Sequence, residues 1–256
     1  MKHILAFFAL ISAFGTPVQA AEDRTPRTGS HISREEQWEA YSVPETRQVE
    51  VRFAACVLKK HRSEAKQYVL GIEDVEMTRK LVEKVADGDC LLNASRASEW
   101  SSAVSMHFPG DLMKYTLADA LIRSELPTGP IADLQKVAPL SHTGLDPARL
   151  WSDRRWKDEA IQKAREERQV YDQVSQFGEC IVRADVADSY ALFLTSPSSR
   201  EEAAVFGRLG PALADCLGGG QTIAFQKATL RGTIALNYYR LALAPRVQQA
   251  AEGSSI

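Results

Sequence analysis

The chain has 256 residues, with 31 basic and 33 acidic side chains, a net charge of −2 and 45% hydrophobic residues. That is enough apolar material to bury a core, in one large domain or two small ones. The charge balance argues against nucleic acid as the main partner, because phosphate binding needs a clear basic excess.

At the N-terminus, Lys2 and His3 precede an apolar run from Ile4 to Phe14 broken only by Ser12. Gly15 and Pro17 end any helix there, and Val18-Gln19-Ala20 sets small residues before a cut after Ala20. Residues 1–20 therefore read as a secretory signal peptide, too short to span a bilayer. No later stretch reaches the ~18 apolar residues of a span, so no transmembrane segment is expected in the mature chain. The expected location is the periplasm or the exterior.

Residues 21–36 are polar, carry Pro26 and Gly29, and are expected to form a disordered arm. Over 37–60, Val49, Phe53, Cys56 and Val57 recur at helical spacing. A short helix is expected at Ala65–Leu70, stopped by Gly71. A third is expected at 73–86, with Val75, Leu81, Val82 and Val85 inward and Asp87-Gly88 closing it. Residues 91–104, rich in Ser, Ala and Asn, read as loop. Val104–Phe108 alternates as a short strand does, and Asp111 is the expected N-cap of a fourth helix ending near Leu126.

Residues 127–150 hold Pro127, Gly129, Pro130, Pro139, Gly144 and Pro147 and read as a linker. Its apolar Ile131, Leu134, Val137 and Leu140 imply that it lies on the protein. A long charged helix is expected over 154–183, with Tyr171, Val174, Phe177 and Ile181 on its apolar face. Asp185 caps a short helix to Leu194, and Ser199-Arg200-Glu201-Glu202 reads as a capping box for the next. Gly218–Gly220 stops that helix, and Thr222–Phe225 is a second short-strand candidate. The last helix, Lys227–Ala244, is apolar nearly all round and expected to be buried. Pro245 is expected to end it, leaving 246–256 as a flexible tail.

Three anchors recur in the same order. Phe53-x-x-Cys56 is echoed by Phe177-x-x-Cys180, and Asp89-Cys90-Leu91 by Asp215-Cys216-Leu217. Phe108, Ala118, Arg123 and Leu126 are echoed by Phe225, Ala235, Arg240 and Leu243. The offsets are 124, 126 and 117 residues, the drift being loop length. A duplication follows. The expected fold is all-α: two tandem similar units of about four helices, over 37–126 and 151–245, with a very short strand before the last helix of each. The four anchor cysteines are the only ones in the chain. In an oxidising compartment they read as disulfides with three possible connectivities. The repeat favours Cys56–Cys90 with Cys180–Cys216, each closing a loop of about 35 residues worth roughly 4 kcal/mol in the chain-entropy model.

The layout resembles a group of uncharacterised signal-peptide-bearing bacterial envelope proteins, through F-x-x-C-[IV]-V at Phe177–Val182 and Leu230-Arg231-Gly232. The resemblance covers mainly residues 167–243, and in the first half Met113-Lys114-Tyr115 stands in place of Leu-Arg-Gly. It implies export and brings no activity with it.

Candidate chemistry is sparse. Ser63-Glu64-Ala65-Lys66 matches S-x-x-K, but the S-D-N and K-T-G elements that make that motif informative are missing. Asp87-Gly88-Asp89 lacks the further oxygens of a calcium loop. Leu217–Gln221 lacks the Lys-Ser/Thr of a phosphate loop. Asn93-Ala94-Ser95 is a glycosylation sequon. Histidines do not pair at i+3 or i+4 and cysteines do not form C-x-x-C, so neither metal nor cofactor is expected. His61 and His107 are the candidates for acid–base work. Trp151 and Trp156 flank Arg154-Arg155, a pattern that binds partners or packs a linker. Arg123 and Arg240 recur on largely apolar helices, where each must find a partner, in a structural ion pair or in a shared binding groove. The reading that results is a non-enzymatic binding or structural protein of the envelope, its partner an envelope protein or cell-wall component. An envelope hydrolase with a site assembled from distant residues is the alternative.

Overall fold

Polar punctuation divides each half of the chain into five helices. The structure, a computed structural model, describes residues 31–34, 43–71, 74–95, 104–108, 111–150, 158–218 and 226–253. The first half holds α1 (Val43–Lys60), α2 (Arg62–Leu70), α3 (Val75–Val85), α4 (Gly88–Ser95) and α5 (Leu112–Glu125). A 3-10 turn, η1 (Leu134–Lys136), and a single-turn helix, α6 (Pro147–Leu150), lie between the halves. The second half holds α7 (Asp158–Ala184), α8 (Val186–Leu194), α9 (Arg200–Arg208), α10 (Gly210–Leu217) and α11 (Lys227–Gly253). The fold is all-α with two similar helical units, as the repeat implies.

The disulfides Cys56–Cys90 and Cys180–Cys216 close one unit each, with Cα separations of 5.4 and 5.8 Å. Each ties the first helix of its unit to the fourth, α4 or α10. A fourth helix in addition to the expected ones arises where 91–104 reads as loop. Its cause is Asp87, whose Oδ1 accepts from the Cys90 N–H at 2.8 Å. Asp87-Gly88 thus starts a helix as well as closing one.

Other boundaries also differ from expectation. Two short strands, β1 (His31–Arg34) and β2 (Val104–His107), pair antiparallel with His31 opposite His107. β1 falls inside the stretch 21–36 expected to be disordered; the bare edge of β2 gives its backbone a ladder. The last helix runs through Pro245 to Gly253, past the start of the expected tail. Pro245 removes one hydrogen bond from the ladder without stopping it. Asp111 precedes α5 but does not cap it; its carboxylate turns to Arg168 instead, at 2.8 Å. The signal peptide, the Thr222–Phe225 strand and the Trp151–Trp156 segment lie outside the described residues.

The two units pack alike. α1 lies on α4 and α5 as α7 lies on α10 and α11, and α2 lies on α3 and α5 as α8 lies on α9 and α11. The most extensive helix pair joins the units: α5 against α11. Residues 230–239 of α11 are all buried, in line with its all-round apolar character. At the centre of this pair Tyr115 meets Gly232. At the repeat offset of 117 these are the same position in the two units, so a residue faces its own counterpart, as in an isologous contact. Both cannot be large. Tyr115 fills the space and Gly232 leaves it, for a Cβ at 232 would overlap Cβ and Cγ of Tyr115. Gly178 does the same for α7, where a Cβ would overlap Thr233. The close approach lets Thr233 donate to the Val174 carbonyl and Asn237 to that of Ser175, each at 2.9 Å.

Candidate functional site

Each unit has a trough between its first and last helices, and the two have different fates. In the first unit, α1 and α5 border an open groove of about 360 Å³. Val51, Ala55, Leu58 and Ala120 give it an apolar floor, and Lys59, Arg62 and Arg123 a basic rim. Arg62 pairs with Glu125 at 3.3 Å and Arg123 with Asp119 at 3.0 Å. Lys59 is exposed and makes no hydrogen bond or ion pair among the described residues.

The equivalent positions of the second unit are Ser175, Glu179, Val182, Asn237, Arg183 and Arg240. This trough is filled by the chain itself. Arg183 donates to the carbonyls of Leu134, Gln135, Val137 and Ala138 at 2.8 to 3.2 Å. Glu179 accepts from the Leu140 N–H at 3.3 Å and pairs with His142 and Arg183. His142 Nδ1 lies 2.9 Å from Ser175 Oγ, and Arg240 donates to the Ser141 carbonyl. Burial pulls the Arg240 guanidinium below its ordinary value, while the Glu179 and Asp111 carboxylates oppose that shift. The linker thus lies along the trough, held largely through its backbone. The structure places Arg123 and Arg240 at the same position of two separate grooves, not in a shared one.

Between the units sits a buried charge network. Glu202, 1% exposed, accepts from both terminal guanidinium nitrogens of Arg47 at 2.7 Å and from one of Arg231 at 3.1 Å. Arg231 also reaches Asp119 at 3.2 Å and donates to the Thr195 carbonyl at 3.1 Å. Burial pushes the Glu202 carboxyl up, but the Arg47 hydrogen bonds and charge pull it further down, below its usual range. Ser199 caps α9 as expected, accepting from the Glu202 N–H at 3.1 Å. The Glu202 side chain reaches back one residue further than in a capping box, accepting from the Ser198 N–H at 2.9 Å, while it also holds the two arginines. Sequence reasoning misses this network, although charged Arg231 and Asp119 amid apolar neighbours are its only local trace.

A second polar joint links α2, α5 and α7. Arg168 pairs with Asp111 and Asp172, each at 2.8 Å, and lies over the Tyr171 ring at 5.6 Å. Lys114 lies over Tyr68 at 5.3 Å. Burial, with Asp111 nearby, pushes the Tyr68 and Tyr115 phenols far above their ordinary range. The charges there pair with one another and offer no vacant cation.

The remaining candidates do not assemble. His61 Nε2 lies 3.0 Å from Asp87 Oδ2, and Lys60 joins them at 3.2 Å. The Cys90 N–H, His61 and Lys60 hold the Asp87 carboxyl at about 2. His107 belongs to β2, apart from that cluster in sequence and element. Ser63 bonds Glu64 and Lys66 reaches Glu125, so the serine and lysine of S-x-x-K do not meet. Among the described residues no group of His, Cys, Asp and Glu could hold a metal ion. Comparison with protein-family models, curated proteins and solved structures gives no match.

Proposed function

We propose that this is an exported protein of the cell envelope that works by binding a partner in the α1–α5 groove. The observation that carries the reading is the groove: an apolar floor bordered by Lys59, Arg62 and Arg123, open where its twin is filled. An apolar floor favours burial of a partner's side chains, and the basic rim favours a partner with acidic groups. Two disulfides support export, because such bonds persist in oxidising compartments. Among the described residues no helix is long and apolar enough to cross a membrane.

The test is affinity capture from envelope extract with residues 21–256 immobilised, beside an Ala55→Arg variant whose new side chain fills the groove. A partner retained by the native protein and lost by Ala55→Arg is expected. Equal recovery by both proteins sinks the groove as the binding site. No specific partner, together with turnover of a cell-wall or ester substrate, sinks the binding reading altogether.

A further inference from the structure

The α7–α11 trough shows what a groove of this shape holds. Its occupant is the 3-10 turn Leu134–Lys136 and the extended stretch 137–142 that follows it, gripped by their carbonyls. Val137, at φ −65° and ψ 143°, is extended, and Pro139 keeps Ala138 so. We infer that the α1–α5 groove takes an extended, apolar and acidic peptide segment of a partner, along the path that the extended residues 137–142 take across α7–α11. This rests on the binding reading above and names the ligand class of the same groove.

The position-by-position exchange between the grooves specifies that ligand. The two carbonyl-gripping cations are retained: Lys59 stands for Arg183 and Arg123 for Arg240. A lysine ammonium offers three donors on a flexible stem, enough to take carbonyls in turn. Meanwhile the groups that hold His142 and the Leu140 N–H are replaced by apolar ones. Glu179 becomes Ala55 and Ser175 becomes Val51, and Asn237, which donates to the Ser175 carbonyl, becomes Ala120. A groove that has lost its carboxylate no longer matches a histidine or a basic side chain; it matches an apolar one. Loss of Glu179 also removes the acid that neutralises Arg183, at a place where the first unit has, among the described residues, a cation without a partner, Lys59. A carboxylate on the ligand supplies the missing charge. The protein's own linker, carrying Lys136 and His142, is therefore the wrong ligand for this groove.

The test pans a random-peptide display library on the full mature chain, with Ala55→Arg and Lys59→Glu as counter-targets, both confirmed folded by circular dichroism. Both positions are exposed, so neither change disturbs the core. Enriched peptides should carry Asp or Glu beside apolar residues. By fluorescence polarisation their affinity should fall at least ~10-fold in each variant, the equivalent of ~1.4 kcal/mol. A photo-crosslinker at position 55 should give an adduct with the peptide. Basic peptides, peptides that bind all three proteins equally, or no enriched peptide would each overturn the inference. An adduct within the chain itself or with a second copy would do so too. If peptides fail while capture from envelope extract still depends on Ala55, the peptide inference falls and the binding reading stands. If both fail, both fall.

Discussion

Removing the Glu202 carboxylate attacks the joint between the two units at its centre. Glu202 accepts two bonds of 2.7 Å from Arg47, one of 3.1 Å from Arg231 and one of 2.9 Å from the Ser198 N–H. In Glu202→Ala, Arg47 keeps only Ser198 Oγ at 3.3 Å among these contacts, and Arg231 keeps Asp119. Of the acids bonded in this network only Asp119 then remains, on Arg231. Breaking a buried pair by deleting one partner costs about 3–5 kcal/mol, because the survivor is left uncompensated. At ~2–4 °C per kcal/mol for a chain of this size, the melting temperature should fall by roughly 6–20 °C. Replacing both partners, as in Arg47→Met with Glu202→Met, leaves Arg231 balanced by Asp119 and should cost less than the single change. The assay is urea unfolding with disulfides intact, followed by circular dichroism. A pH series adds a sign. The folded carboxyl is held low, so its contribution is present above the unfolded value of about 4.3 and lost as pH falls through the folded value. The penalty of Glu202→Ala should therefore shrink in acid. A single variant within about 1 kcal/mol of the native protein refutes the reasoning, given the expected cost of an orphaned charge. So does a double variant as unstable as the single one.

Two further substitutions probe the repeat. Gly232→Ala places a Cβ against Cβ and Cγ of Tyr115, atoms too near the backbone to swing away, and should destabilise by about 3 kcal/mol in a thermal melt. Native-like stability would mean that α5 and α11 do not approach so closely. Asp87→Ala removes the cap of α4 and should cost about 1 kcal/mol at neutral pH. The folded Asp87 carboxyl is lowered to about 2, so that difference should persist above about pH 4 and fade as pH drops toward about 2. A difference unchanged in acid would assign the effect to packing instead.

What could be read from the sequence was whatever is local or duplicated. Cysteine and phenylalanine anchors recur at fixed offsets, so the pairing of Cys56 with Cys90 and Cys180 with Cys216 followed from the repeat alone. Local rules failed where a distant charge offered a better partner. Asp111 has the right place for a cap, but Arg168, 57 residues away, claims its carboxylate. Glu202 keeps a local bond, from the Ser198 N–H, but also binds Arg47, 155 residues away, which no local rule foretells. The helix α4 reads as loop because it is only eight residues long and its cap residue also looks like a terminator. The recurrence of Arg123 and Arg240 was visible, yet the grooves were not, because a trough arises only when α1 meets α5 and α7 meets α11. The occupancy of one groove was hidden more deeply still: Arg183 binds four carbonyls, and every residue has one.

The asymmetry between the grooves has a physical origin in connectivity. A duplicated unit needs a connection from the end of α5 to the start of α7, and this chain lays part of it across α7 and α11 of the second unit. That trough must then bind a fixed, covalently attached segment, whose effective concentration is high and whose ordering cost is reduced by tethering. Its side chains can specialise for that segment: Glu179 for a histidine and an amide, Arg183 for carbonyls. No corresponding connection enters the first groove from within the described residues. Its cations hold the equivalent places while the residues that answer the linker's own polar groups are replaced by Val51 and Ala55. A groove maintained only for packing would be expected to close, α1 settling on α5 as tightly as α7 settles on α11 at Gly178. Ala54 stands at the position of Gly178, where in the second pair a Cβ would overlap Thr233. The pair with the glycine encloses the linker, and the pair with the alanine has an open groove.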